Sequence, residues 1–327
     1  MIPALAAAFA CFILTVAGTR AAIAWLLHRR YLDHPNERSS HSAPTPRGGG
    51  LAVTPAILLC WAGWRLATGG AAPLEWALMA GAALLMALSW WDDRHTLAAG
   101  PRFAVHALAV AAGLWVLPEG ALVFQGWLPV WADRLLAGLG WLWFLNLTNF
   151  MDGIDGITGV ETAAIGIGLL LLGGAGGGPG LIAAAAGLGF LVWNWHPARI
   201  FLGDSGSIPL GFILGGLLLQ LAAEGHLAAA LILPAYYVAD ATITITRRLL
   251  NREKIWQAHR KHFYQRAVQG GRSHSQVTQA ILAGNAVLVL AALMAASGQV
   301  LAGAVTALAV VAALLAILQV WSKGRPA

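Results

Sequence analysis

The chain alternates long apolar stretches with short polar ones. Apolar runs of about 18 residues or more recur along it, and each can cross a bilayer core as a helix. The pattern predicts spans at about 3–27, 50–66, 74–91, 103–117, 127–146, 159–173, 180–194, 207–223, 227–246, 277–297 and 300–321. That makes about eleven, with ten as the alternative because glycines from Gly173 to Gly180 blur the sixth and seventh. No polar segment is long enough for a soluble domain. The expected fold is an all-α polytopic membrane helical bundle, a single domain over residues 1–327.

Composition agrees. Hydrophobic residues make up 58% of the chain, charged residues only 10%, and the mean hydropathy is +0.70. A soluble domain carries about 25% charged residues and could not cover its surface with this set. The 39 glycines let helices approach closely, and 15 tryptophans suit two water–lipid interfaces. Cys11 and Cys60 lie in apolar runs and offer neither a disulfide framework nor metal spacing. Met1 to Leu27 is long, lacks a basic start and has no small-residue cleavage site, so it is read as a retained span.

The polar connections sort by parity. Those at 28–49, 92–102, 147–158, 195–206 and 247–276, with the tail from Ser322, hold all but three of the 20 Lys and Arg residues. The exceptions are Arg20, Arg65 and Arg134. The positive-inside rule places this set in the cytoplasm and the N-terminus outside. The net charge of +6 therefore faces anionic headgroups; no basic module with stacking aromatics points to nucleic acid.

The same connections hold Asp92-Asp93, then Asn149, Asp152 and Asp155 in Asn-Phe-Met-Asp-Gly-Ile-Asp-Gly156, then Asp204 in Gly203-Asp-Ser-Gly. Any one of these acids could be a solvated charge. Five together in short, glycine-rich, otherwise apolar loops point to function. Oxygen donors without a Cys/His cluster suit a hard cation such as Mg²⁺, with substrate phosphates completing its shell. Two basic loops complement the acids. His41 to Gly50 ends in Arg47-Gly48-Gly49-Gly50, and His259-Arg260-Lys-His262 places two histidines on one face if helical. A zinc pair lacks further ligands nearby, so phosphate binding by histidine and arginine is the better reading. Arg20 and His106, inside spans, are expected to be satisfied within the bundle. Asp240 is expected to pair with Arg247 or Arg248. His28, His34, His95, His196, His226 and His274 carry no signal by themselves.

With these loops assembled, the sequence resembles the polyprenyl-phosphate N-acetylhexosamine-1-phosphate transferases (glycosyltransferase family 4), which include phospho-N-acetylmuramoyl-pentapeptide transferase. The matching segments are Asp33 to Gly50, Asp92-Asp93-Arg94, Asn146 to Gly156, Asn194 to Gly206 and His259 to Arg266, in family order. The resemblance implies transfer of a sugar 1-phosphate from a UDP-N-acetylhexosamine to undecaprenyl phosphate, releasing UMP, with Mg²⁺ or Mn²⁺ as cofactor. It implies a multi-pass enzyme of the bacterial inner membrane with its site on the cytoplasmic face, and it is compatible with a homodimer. By the same resemblance Asp92 is the base on the lipid phosphate with Asp93 supporting, Asp152 and Asp155 join the catalytic group, and Asp204 and Asn149 serve the metal. Arg47, Gly48, Gly49, His259, Arg260 and His262 fall on substrate-binding positions. The peptidoglycan enzyme has consecutive histidines where this chain has His259-Arg-Lys-His262-Phe-Tyr-Gln. This is similar to the branch that starts O-antigen-type glycans. A transporter or flippase for lipid-linked sugars is the alternative. It would hold its site near the bilayer midplane, often in repeated halves, and neither feature is seen.

Overall fold

The computed structural model describes residues 2–35, 43–95, 97–118, 120–255, 257 and 259–324. Residues 36–42, with Arg38 and His41 of the first basic motif, lie outside the described residues. Helices stand at every predicted apolar stretch: α1 (Ile2–Arg29), α2 (Gly50–Ala67), α3 (Pro73–His95), α4 (Ala99–Trp115), α5 (Val130–Met151), α6 (Ile157–Leu172), α7 (Gly177–Asn194), α8 (Asp204–Leu221), α9 (Leu227–Ile232), α10 (Ala235–Leu250), α11 (Phe263–Gln269), α12 (His274–Ala296) and α13 (Val300–Trp321). Among the described residues, seven helical stretches are long and apolar enough to cross a membrane unaided: α1, α2, α3, α7, Asp204–Ile232, α12 and α13. The chain is an all-α, multi-pass membrane bundle.

The residues of α8 are apolar all round, and such a helix belongs in the interior. Nearly all of α8 is buried, with α2, α3, α5 and α6 packed about it. Helices α1 and α13 leave most side chains facing outward. Small residues let inner helices close up. A Cβ on Gly166 of α6 would stand 2.4 Å from the Gly180 carbonyl of α7, so only hydrogen fits there.

Polar contacts gather at the two ends of the bundle. At one end Arg65 pairs with buried Glu75 at 2.6 Å, and Asp133 accepts the N–H groups of Val123 and Phe124. Gln125 donates to the Ala222 carbonyl, and Glu224 accepts from Ala175. The opposite end collects the acidic and basic motifs. There β1 (Leu32–Asp33) pairs antiparallel with β2 (Thr45–Pro46).

Several expectations are corrected. The ninth span is broken: α9 has six residues, and Pro234, which lacks the N–H that would continue the ladder, precedes α10. Helix α10 is amphipathic and buries Tyr236, Tyr237, Asp240, Ala241, Thr244 and Arg248. Helices α3 and α5 run on through His95 and Met151, and α8 begins at Asp204. Asp92, Asp93, Asn149 and Asp204 thus sit on helix ends rather than in loops. His259 lies in irregular chain and His262 caps α11, so they share no helix face, although their rings stack with centroids 4.9 Å apart.

Arg20 is exposed on α1 rather than satisfied inside, its long stem letting the charge leave the bundle. His106 is buried on the face of α4 that carries Ala109, Val110 and Gly113. Neither of its ring nitrogens makes a hydrogen bond of ordinary geometry among the described residues: the Asn146 side chain faces the ring, but its amide donates to the Leu142 carbonyl. Asp240 pairs with neither arginine. It points inward, whereas Arg247 lies over the Phe263 ring and Arg248 turns to Glu253 and the carbonyls of Lys254, Ile255 and Gln257.

Candidate active site

At the motif-bearing end, acids from three helices meet two guanidinium groups. Asp92, in the last turn of α3, accepts the Leu97 N–H and Arg102 Nη1, each at 2.6 Å. Arg102 Nη1 also lies 4.0 Å from Asp204. Arg47 Nη2 donates to Asp204 Oδ1 at 2.6 Å and stands 3.9 Å from Asp93. Asp204 opens α8, where the helix N-terminus favours a carboxylate. Asp152, one residue past α5, accepts the Thr158 hydroxyl at 2.7 Å. Burial pushes its carboxyl up to about 6; Thr158 and Arg47 pull the other way, and Asp204 adds to the rise. Asn149 Oδ1 accepts the Ser207 hydroxyl at 2.7 Å, which ties α5 to α8.

The loop that carries Arg47 is joined to the loop that carries Asp204 by backbone. The Gly48 and Gly49 N–H groups donate to the Phe201 carbonyl at 3.1 and 2.9 Å, Gly50 N–H to the Leu202 carbonyl, and Phe201 N–H to the Pro46 carbonyl. The amides of Gly48 and Gly49 are therefore engaged in this junction. A Cβ on Gly50 would stand 2.1 Å from the Gly206 nitrogen, a distance only glycine allows.

Asp155 is held apart from that cluster, with no ion pair to Arg47 or Arg102 among the described residues. His196 Nδ1 lies 2.6 Å from its Oδ2, His274 Nδ1 3.1 Å from its Oδ1, and the Ala198 N–H donates to it. Burial works to raise this carboxyl, but His274, His196 and Ala198 together hold it below the usual carboxylate range. The Thr278 hydroxyl donates to the Asp155 carbonyl, so the group pins the Asp-Gly-Ile-Asp-Gly turn to the His196 loop and to α12. One ligand atom from each of Asp155, His196 and His274 lies within 4.8 Å of the others, which is also metal-like spacing.

Two hollows border the acids. One, of about 260 Å³, brings Asn149 and Phe150 together with Gln257, His259 and His262. Burial, then His262, Arg248 and Lys261, lower the His259 pKa to about 4, which leaves it neutral at pH 7. The other, of about 200 Å³, is lined by Tyr31, Asp33, Arg47, Trp90, Asp93 and Arg94. Arg260 faces a separate basic hollow with Arg247, Arg248, Lys261 and Arg266. The motifs thus supply one acid cluster, one histidine-lined hollow beside it, and an outlying arginine.

Arg102, His196 and His274 were not distinguished by sequence. Arg102 read as one of many membrane-anchoring cations, and the histidines had no partner in the linear pattern. The nearest signal was proximity: His196 stands eight residues before Asp204 in the same short loop.

The sequence profile of glycosyl transferase family 4 matches residues 75–222, the segment from Glu75 to Ala222 that includes Asp92, Asp152 and Asp204. The chain is 30% identical to a probable undecaprenyl-phosphate N-acetylglucosaminyl 1-phosphate transferase of Bacillus subtilis, over 74% of this chain and 71% of that protein. It is 31% identical to a decaprenyl-phosphate N-acetylglucosaminephosphotransferase of Mycolicibacterium smegmatis, over 74% of this chain and 69% of that one. A phospho-N-acetylmuramoyl-pentapeptide-transferase of Thermosynechococcus vestitus is 31% identical over 63% of this chain and 59% of its own. With the aligned segments carrying the acids that the bundle gathers at one end, the chain belongs to glycosyl transferase family 4.

Proposed function

We propose that the chain transfers an N-acetylhexosamine 1-phosphate from a UDP-sugar to undecaprenyl phosphate at the cytoplasmic face of the membrane. The product would be the lipid-diphosphate-linked first sugar of an O-antigen-type glycan. The observation that carries this reading is the cluster of Asp92, Asp93, Asp152 and Asp204 around Arg47 and Arg102 at the membrane-boundary end of the bundle. Phosphoryl transfer needs little from a protein beyond positioning and charge stabilisation, and this cluster offers both.

In the proposed reaction an oxygen of the lipid phosphate attacks the sugar-bearing phosphorus of the donor. The bond to the uridine-side phosphate breaks, and UMP leaves. Arg47 and Arg102 supply guanidinium groups for the phosphates. Asp92 orients the acceptor phosphate and takes its proton, with Asp93 beside it. Four carboxylates against two guanidinium groups leave a surplus of negative charge on hard oxygen donors, and Asp152 resists carrying its share. That donor set fits Mg²⁺, or Mn²⁺ in its place, held by Asp204 with Asn149 and Asp152 in support. Such an ion supplies neutralisation of the charge that develops on the diphosphate. His259, neutral at working pH, and His262 line the hollow next to Asn149, where His259 can hydrogen-bond a donor phosphate and His262 another group of the donor.

The test is a donor panel. Detergent-purified protein is incubated with undecaprenyl phosphate, Mg²⁺ and radiolabelled UDP-N-acetylglucosamine, UDP-N-acetylfucosamine or UDP-N-acetylquinovosamine. One donor should give butanol-extractable label with one UMP released per sugar. No lipid-linked label from any UDP-N-acetylhexosamine would remove the proposal.

A further inference from the structure

Asp240 lies wholly inside the protein, and its carboxylate is crowded with donors. The N–H groups of Phe263 and Tyr264 reach it at 3.1 and 3.3 Å, the Tyr236 and Thr244 hydroxyls at 3.1 and 3.3 Å, and His262 Nδ1 at 3.1 Å. The five donors are shared between both oxygens, so the carboxyl group is used as an acceptor on each side. A carboxylate that accepts from Nδ1 requires the proton on that nitrogen, which leaves Nε2 of the neutral ring with its lone pair. Nε2 of His262 is the atom left over: it is buried, without a partner among the described residues, and the ring is one wall of the hollow beside Asn149. The ring is only 1% exposed and stacks between His259 and Tyr264, so its plane is fixed as well as its tautomer.

We propose that Asp240 is a positioning residue for the transfer reaction. It locks His262 in the Nδ1–H tautomer and presents Nε2 to the hollow, where its lone pair accepts a hydrogen bond from a hydroxyl or N–H group of the bound nucleotide. A buried Nε2 left unbonded would cost stability, and the hollow is where a ligand can satisfy it. The proposal rests on the transferase reading above.

The test is a double-mutant cycle on the full chain in detergent, with Asp240→Asn, His262→Gln and the double variant. The readouts are kcat and KM for UDP-N-acetylglucosamine with undecaprenyl phosphate, and the affinity for UMP by thermophoresis. An asparagine amide can donate to Nδ1 and reverse the tautomer, so Asp240→Asn should lower kcat/KM ~10- to 100-fold, as is typical when the carboxylate orienting a functional histidine is removed. In the His262→Gln background the same change should cost less than ~3-fold, because the group it positions is gone. Equal losses in both backgrounds would make Asp240 a structural acid only and overturn the proposal. If Asp240→Asn does not fold, Asp240→Glu keeps the charge but displaces it by a methylene, and the same non-additivity is expected. A wild-type chain that turns over no donor, yet shows the coupling in UMP affinity, would refute the transferase reading and leave the dyad standing.

Discussion

Replacing Asp152 with Asn should stabilise the metal-free protein at neutral pH while removing most of its turnover. The Thr158 hydroxyl that bonds Asp152 at 2.7 Å can bond an amide oxygen as well, so the substitution removes the charge and little else. Burial raises the Asp152 pKa from an ordinary 3.8 to about 6, and each unit is worth about 1.4 kcal/mol. Ionised Asp152 therefore costs the folded state at most about 3 kcal/mol, and solvent screening of this half-buried group lowers that ceiling. The folded state binds this proton more tightly than the unfolded one. The parent is thus unpenalised below the ordinary carboxylate range, loses stability as pH rises to about 6, and is level above. The variant has no such dependence. Its advantage should be full at about pH 7.5 and roughly half as large at about pH 5. Melting of both proteins in detergent with EDTA, across that range, measures the gap. Excess Mg²⁺ should narrow it by stabilising the parent more than the variant. A variant that melts below the parent at pH 7.5 in EDTA, or a gap that does not change with pH, would refute the reasoning.

Three further outcomes are expected. Gly50→Ala drives a Cβ to 2.1 Å from the Gly206 nitrogen and 2.3 Å from the Ser205 carbonyl carbon, both backbone atoms. It should lower stability by ~1–3 kcal/mol and, by parting Arg47 from Asp204, cut turnover by at least an order of magnitude; parental melting and activity would show that the two loops are not so joined. His274→Ala should release Asp155 toward the usual carboxylate range. Asp155 now contributes stability above that range and loses it as pH falls through its depressed folded pKa, so the variant should lose ~1–3 kcal/mol at neutral pH and show a shallower acid limb in melting. An impermeant maleimide should label Gly120→Cys but not Lys323→Cys in intact cells, and the reverse pattern would invert the proposed topology.

The bundle was readable from sequence because lipid imposes one demand, an unbroken apolar stretch with its backbone bonded internally. That demand locates spans and says little about where helices end. Asp92, Asn149 and Asp204 read as loop residues because hydropathy falls at the membrane boundary, while the backbone ladder of α3 and α5 continues past it. The break at Pro234 was lost for the opposite reason: the residues on both sides are apolar, so hydropathy ran through a point where the ladder cannot. Residue chemistry carried further than position. Hard oxygen donors and arginines stand out in the sequence as a candidate phosphate-handling set, and the structure brings them to one end of the bundle, but their partners were not legible. Arg102 reaches Asp92 from ten residues away and His262 reaches Asp240 from 22. Asp240 was assigned to Arg247 or Arg248 on nearness in the chain, and the buried face of α10 directs it elsewhere.

The placement of the acids at helix ends has a physical cause. Carboxylates near the bilayer midplane would be costly, and carboxylates out in solvent would be screened from one another. At the boundary the backbone supplies fixed partners, such as the Leu97 N–H for Asp92 and the start of α8 for Asp204. Arg47 and Arg102 then bridge acids from different helices, so that α3 and α8, which pack directly, hold Asp92, Asp93 and Asp204 in one electrostatic unit. Asp152 joins from the end of α5, and burial raises its carboxyl, as it does that of Asp93, to about 6. A lipid phosphate is confined to the same boundary layer by its own tail, and a soluble nucleotide sugar can reach that layer only from the water side. An acid cluster fixed at the helix ends is therefore positioned where the two proposed substrates would meet. The glycines that let the Arg47 and Asp204 loops touch serve that meeting as directly as the charged groups they bring together.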